Sequence, residues 1–287
     1  MITLVPKQLA FERILVPTDF SDVSQRALDY AKSVAQKCGS QILLAHVDQP
    51  INPITPPERE WIDRNASSQQ VEQELEQQGA ELRSEGFKAR TISVPGAVQD
   101  AVLSTASREG ADLIVLGTHS SAGVERLLSG SDAEEIFRNA TCPVLVIGPV
   151  ALPPSGFTWP PKHVVCASDL DPNTASVAAY SYMLAREYKA TFTLLHVEDP
   201  TNRRSDLQEF EKAYARALPD QPSPNIVLRT ASPGDFNFAI IDFLTVRNVD
   251  LLMMGAHTAS SAATHFLRGI VPQVVADAPC PVMVLHK

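Results

Sequence analysis

Apolar and polar positions come in blocks along the chain, and the period changes from block to block. Arg13–Pro17, Gln41–Val47, Ala89–Val94, Asp112–Leu116 and Pro143–Ile147 are short runs predicted as strands, most of them near-continuously apolar, as in a sheet covered on both faces. Between them the spacing is helical. Ser21–Gly39 puts Val23, Ala27, Tyr30, Ala31 and Val34 on one face, with Ser21 or Asp22 as its cap. Ser67–Glu85 is charged and Gln-rich, with an inward stripe of Val71, Leu75 and Leu82, and helices are predicted again at Ala97–Glu109 and Asp132–Asn139. The order β-α-β-α-β-α-β-loop-α-β has crossovers long enough for parallel strands, and such crossovers are right-handed. It predicts a doubly wound, Rossmann-like α/β domain: a five-stranded parallel sheet with helices on both faces. Ligands of such sheets collect beyond the carboxyl ends of strands where the winding reverses, and Asp19, Val47, Gly96 and Gly117 stand at such ends.

The whole pattern occurs twice. At an offset of 150, Asp19 falls on Asp169, Tyr30 on Tyr180 and His46-Val47 on His196-Val197. At an offset of 138, Pro95-Gly96 falls on Pro233-Gly234, Asp112 on Asp250, Gly117 on Gly255, His119 on His257 and Cys142-Pro143 on Cys280-Pro281. The fall from 150 to 138 makes the second copy 12 residues shorter between its blocks. Two domains follow, 1–150 and 151–287, joined by the proline-rich stretch "GPVALPPSGFTWPPK" (Gly148–Lys162), which reads as a semi-rigid linker. In this winding the last strand of each copy lies at a sheet edge. The two edges can pair with each other and make one chain an internal pseudo-dimer, with a homodimer of whole chains as a further possibility.

Composition narrows the function. A net charge of −9 argues against nonspecific binding of nucleic acid or anionic membrane. No stretch is apolar for long enough to span a bilayer, and the N-terminus lacks signal-peptide character, so a cytoplasmic location is expected. Cys38, Cys142, Cys166 and Cys280 have no CxxC spacing and read as small apolar residues, and the seven histidines have no metal-ligand spacing.

The stretch "GTHSSAGVERLLSGS" (117–131) is the chemically suggestive one. It links a buried strand to a helix N-terminus, whose free amides and dipole favour an anion. Asp132, Glu134 and Glu135 follow at once, and Arg126 is its single cation. GxxxxGK[ST], GxGxxG and G-x-S-x-G are all missing, which weighs against kinase-like, dinucleotide-binding and serine-hydrolase chemistry.

Together, "PTDFS" after the first strand, His-Val after the second, Gly117-x2-Ser120-x9-Gly130-Ser131 and Cys-Pro-Val-x-Val resemble the universal stress protein family, and both halves carry the resemblance. The family pattern has glycine at Ser120. The resemblance implies an adenine nucleotide such as ATP, with Mg²⁺ or Mn²⁺, in the first half. Pro17, Thr18 and Asp19 would border adenine and ribose, and Val47 would pack on the base. Leu116 and Gly117 would underlie the ribose and first phosphate. His119, Ser120, Gly130, Ser131 and Asp132 would offer mainly backbone N–H groups to the phosphates. In the second copy Thr258 stands at the Ser120 position and Arg268, Gly269 and Ile270 at Gly130, Ser131 and Asp132, so that site is expected to be degenerate. The resemblance implies binding, with at most slow hydrolysis, in a stress or regulatory response.

Blander roles stand beside these. Asp19 and Asp169 can simply close βα turns. His46 and His196 read as packed, hydrogen-bonded histidines, and the 67–85 charge run as a solvated helix face. The alternative function is a non-nucleotide interaction module that holds a protein partner or an apolar metabolite.

Overall fold

The structure is a computed structural model that describes residues 11–48, 57–118, 130–151, 159–198, 207–219, 221, 224–232, 235–256 and 270–286, with backbone alone at 57–68 and 130–131. The first half runs β1 (Arg13–Thr18), α1 (Asp22–Cys38), β2 (Gln41–Asp48), α2 (Pro57–Ser84), β3 (Lys88–Pro95), α3 (Val98–Glu109), β4 (Leu113–Gly117), α4 (Gly130–Asn139) and β5 (Val144–Ile147). The second runs β6 (His163–Ala167), a 3-10 turn (Pro172–Thr174), α5 (Ala175–Glu187), β7 (Thr191–Glu198), α6 (Leu207–Ala217), β8 (Ile226–Thr230), α7 (Phe236–Val246), β9 (Leu251–Ala256), α8 (Ile270–Asp277) and β10 (Val282–His286).

All strands join one ten-stranded sheet, ordered β3-β2-β1-β4-β5-β10-β9-β6-β7-β8. Pairing is parallel within each half and antiparallel at the central β5–β10 junction. The parallel strands alternate between two cores. One face packs Ile14, Val16, Val34, Cys166 and Tyr180; the other packs Leu15, Leu116, Phe137, Val275 and Val284. Each core draws on both halves, so the sheet is covered without a break between them.

Local chemistry sets the element ends. Ser21 caps α1 by accepting from the Ser24 amide, and Gly39, at φ 73°, closes it by donating to Ala35. Asp112 accepts from the amides of Glu12 and Arg13, and Asp250 from those of Lys162 and His163, so each half pins the start of its first strand with the same aspartate. Helix α2 starts at Pro57, ten residues before the Ser67 start that the sequence predicts, and proline suits a first turn.

The 138 offset fails at one strand. Ser93 lies opposite His46 and Leu228 opposite His196, so β3 and β8 superpose at an offset of 135, not 138. The second half regains three residues between β8 and α7. Pro95 ends β3, whereas Pro233 and Gly234 lie outside the described residues.

The β5–β10 register sets Val146 against Val282, Leu145 against Met283 and Val144 against Val284. These are one another's counterparts at the 138 offset, so a local twofold axis passes between Leu145 and Met283. Cys38 and Tyr188, counterparts at offset 150, also meet, with Sγ and the phenolic oxygen 3.4 Å apart. The linker is packed at both described ends. Arg26 of α1 donates to the carbonyls of Gly148, Pro149 and Ala151. Trp159 is buried edge-on against Phe11 and Tyr188, and its amide donates to the Ser33 hydroxyl. A Cβ on Gly148 would stand 2.0 Å from the Val275 carbonyl oxygen in α8, so only glycine fits where the halves close.

Candidate functional site

Strand order reverses between β1 and β4. Their pairing ends at Leu15–Ile114, although β1 continues to Thr18 and β4 to Gly117. The strands part there, at the switch point where doubly wound sheets take ligands. Pro17, Thr18 and Asp19 line one side of the opening by sequence position, and Leu116 and Gly117 the other. Helix α4 begins at Gly130.

The β1–α1 turn is closed by its own side chains. The Thr18 hydroxyl accepts from the Phe20 amide, and Asp19 accepts from the amide and hydroxyl of Ser21. Phe20 takes φ 62° and stacks on the His46 ring, 5.0 Å between centroids. His46 donates from Nδ1 to the Thr18 carbonyl at 2.9 Å, which fixes its tautomer and makes it a structural histidine. Burial pushes the Asp19 carboxyl upward, but hydrogen bonds from the Ser21 and Ser24 side chains and the Ser21 amide outweigh this and hold it below the usual range. The second half repeats the turn. Ser168 accepts from the Leu170 amide, Asp169 from the Asp171 amide, Leu170 takes φ 58°, and His196 donates to the Ser168 carbonyl.

Several residues assigned to a nucleotide by resemblance already have structural work. Val47 and Leu116 are buried together in one core. Next to them Thr118, which the resemblance does not assign to the nucleotide, donates its amide to Ile147. A Cβ on Gly117 would meet Val23 Cγ1 at 2.4 Å and the Val23 carbonyl oxygen at 2.6 Å, so this glycine admits the first turn of α1. Gly130 and Ser131 lie in the first turn of α4, followed by half-buried Asp132, and His119 and Ser120 fall outside the described residues.

The second half is looser at the same place. A 3-10 turn replaces the start of α1, α5 begins only at Ala175, and a Cβ on Gly255 would meet only the Val177 side chain, with Cγ2 at 3.3 Å, a tight contact but far less severe than at Gly117. A recess of about 10 Å³, the room of about one water molecule, opens there among Ser168, Asp169, Thr174 and Met254. His257, Thr258, Arg268 and Gly269 lie outside the described residues. All four cysteines are free thiols, and burial pushes Cys142, Cys166 and Cys280 up to about 12. Sequence reasoning placed Val23 on an inward face without its contact to Gly117, and missed the packing of Arg26, Gly148 and Trp159, all contacts between residues far apart in the chain. The one available signal was the recurrence of Asp112 as Asp250.

Residues 10–148 and 161–286 each match the universal stress protein family. The chain belongs to that family. The first half-length relative, Universal stress protein MJ0531 of Methanocaldococcus jannaschii, is 33% identical over 140 residues, 48% of this chain and 82% of that protein. Universal stress protein MJ0577 of the same organism is 28% identical over 161 residues, 48% of this chain and 94% of that protein. A universal stress protein from Archaeoglobus fulgidus shares the fold over 98% of both chains, at 19% identity and a TM-score of 0.70. As a universal stress protein this chain is a tandem member, two family units in one sheet. No helix among the described residues is long and apolar enough to cross a membrane.

Proposed function

We propose that the first half binds ATP or a related adenine nucleotide, with Mg²⁺ or Mn²⁺, and that the protein acts as a cytoplasmic regulator rather than an enzyme. The observation that carries this reading is the parting of β1 and β4 at the switch point, where doubly wound sheets take ligands. In this reading Pro17, Thr18 and Asp19 border the base and ribose, Val47 and Leu116 form the apolar floor, and Gly117 lies under the ribose. His119, Ser120, Gly130, Ser131 and Asp132 surround the phosphates. In this reading the divalent ion arrives with the phosphates. Calorimetry of ATP–Mg²⁺ with protein freed of copurified ligand tests this. Binding is expected, and no heat at millimolar nucleotide overturns it.

The second reading is an interaction module without nucleotide. It is favoured by the prior commitments of Asp19 to Ser21, Thr118 to Ile147 and Gly117 to Val23. Mass spectrometry of ligand extracted from native protein separates the two: adenine nucleotide supports the first, lipid or nothing the second.

A further inference from the structure

The ten-stranded sheet has two outer edges, and they are built differently. At one end β3 is blunted against pairing. It carries exposed Lys88 and Arg90 and ends in Pro95. Helix α2 dresses the same strand, since Arg83 donates to the Ala89 carbonyl and pairs with Glu76, and Glu76 accepts from the Thr91 hydroxyl. Arg90 is further tied to Glu109 of α3. Charges, proline and covering side chains are the usual means of keeping an edge strand solitary.

At the other end β8 has no proline, and Arg229 is its one charge. Its sequence is Ile-Val-Leu-Arg-Thr, without lysine or proline. Leu228 is 58% exposed, where its structural counterpart in β3 is Ser93. Arg229 makes no ion pair among the described residues and lies over the Phe243 ring, which it shares with Arg247. Val246, next to that pair, is 64% exposed. The result is an apolar strand edge with an unspent row of backbone donors and acceptors.

We propose that this edge pairs with the same edge of a second copy, β8 antiparallel to β8, to make a continuous twenty-stranded sheet. The strand itself selects the occupant. Antiparallel self-pairing has one register that matches all five residues of Ile226–Thr230, and it puts Leu228 on the twofold axis facing Leu228 of the other copy. Val227 then faces Arg229, and Ile226 faces Thr230. The guanidinium at position 229 meets an apolar side chain and not its own mate, so no like charges are opposed. The exposed leucine becomes buried against an identical one. The chain already joins two edges in this way, with Leu145 against Met283 at β5–β10. The surface is independent of the nucleotide reading, because β8 lies at the far end of the sheet from the first-half opening.

Sedimentation of the full chain over a range of concentrations reads the association directly. A species of twice the 31.2 kDa chain mass is expected in the micromolar range. Leu228→Lys, at a site exposed in the single chain, puts two ammonium groups on the axis and is expected to return the protein to a folded monomer with an unchanged circular dichroism spectrum. Phe238→Ser, on the outward face of α7, is expected to leave the dimer intact. Leu228→Cys is expected to give a covalent dimer on mild oxidation, where the native chain gives none. A native chain that stays monomeric throughout, a dimer that survives Leu228→Lys, or one that is lost with Phe238→Ser would overturn the proposal.

Discussion

Asp112 and Asp250 show how one side chain can serve two strands. Each sits at the entry to the strand beside the first strand of its half and accepts from two amides at that first strand's start. Removing the carboxylate leaves those N–H groups without their acceptor. Asp112→Ala and Asp250→Ala are each expected to cost about 1–3 kcal/mol in urea unfolding. Asp19 makes a different prediction. Its carboxyl is held below its unfolded value, so its contribution is fully present above the unfolded pKa and is lost as pH falls through the folded one. The stability gap between the native chain and Asp19→Asn is therefore expected to be largest near neutrality and to close in acid. Paired denaturant titrations at the two extremes would measure it, and a gap that widens in acid contradicts the assignment.

The two β-strand-to-helix turns are the elements that differ most between equivalent sites. In the first half α1 begins at Asp22 and presses Val23 onto Gly117; in the second a 3-10 turn delays α5, and a Cβ on Gly255 would have only the Val177 side chain to displace, by a few tenths of an ångström. Gly117→Ala has a backbone oxygen 2.6 Å from the new methyl and is expected to cost about 1–3 kcal/mol in thermal unfolding, while Gly255→Ala costs well under that. Equal losses would mean that the two turns pack alike. The elements themselves were legible in the sequence, because strands such as β4 and β5, buried on both faces, are apolar at nearly every position, and because α1 shows its inward face as a 3.6-residue period. The role of Gly117 was not legible. A glycine that admits a neighbouring helix and one that admits a phosphate look the same in a sequence, and only the position of Val23 distinguishes them. The 135 offset of β8 was hidden for a related reason: a matching Pro-Gly pair drew the alignment across a strand whose register is set by β7.

At the scale of the molecule, the continuous sheet, the two shared cores and the pinned linker make the halves one cooperative body. Calorimetry is expected to show a single unfolding transition, and Gly148→Ala, which sets a methyl against the Val275 carbonyl, is expected to lower its midpoint without splitting it. Two resolved transitions in the native chain would show that the halves melt separately. The tandem organisation was readable from the repeat, and the edge pairing followed from the winding. The packing of Trp159 and Arg26 on the linker was invisible, since a proline-rich stretch shows no period whether or not it is packed. The contacts on the local axis carry one more consequence. In a dimer of identical subunits, whatever stands on the symmetry axis must be compatible with its own image. Here a thiol at position 38 meets a phenol at 188, and a leucine at 145 meets a methionine at 283, combinations that no single gene encoding half of this molecule could produce. Fusion frees these positions from mirroring themselves, and the same freedom lets the two strand-to-helix turns differ, one leading straight into α1 and the other through a 3-10 turn into α5.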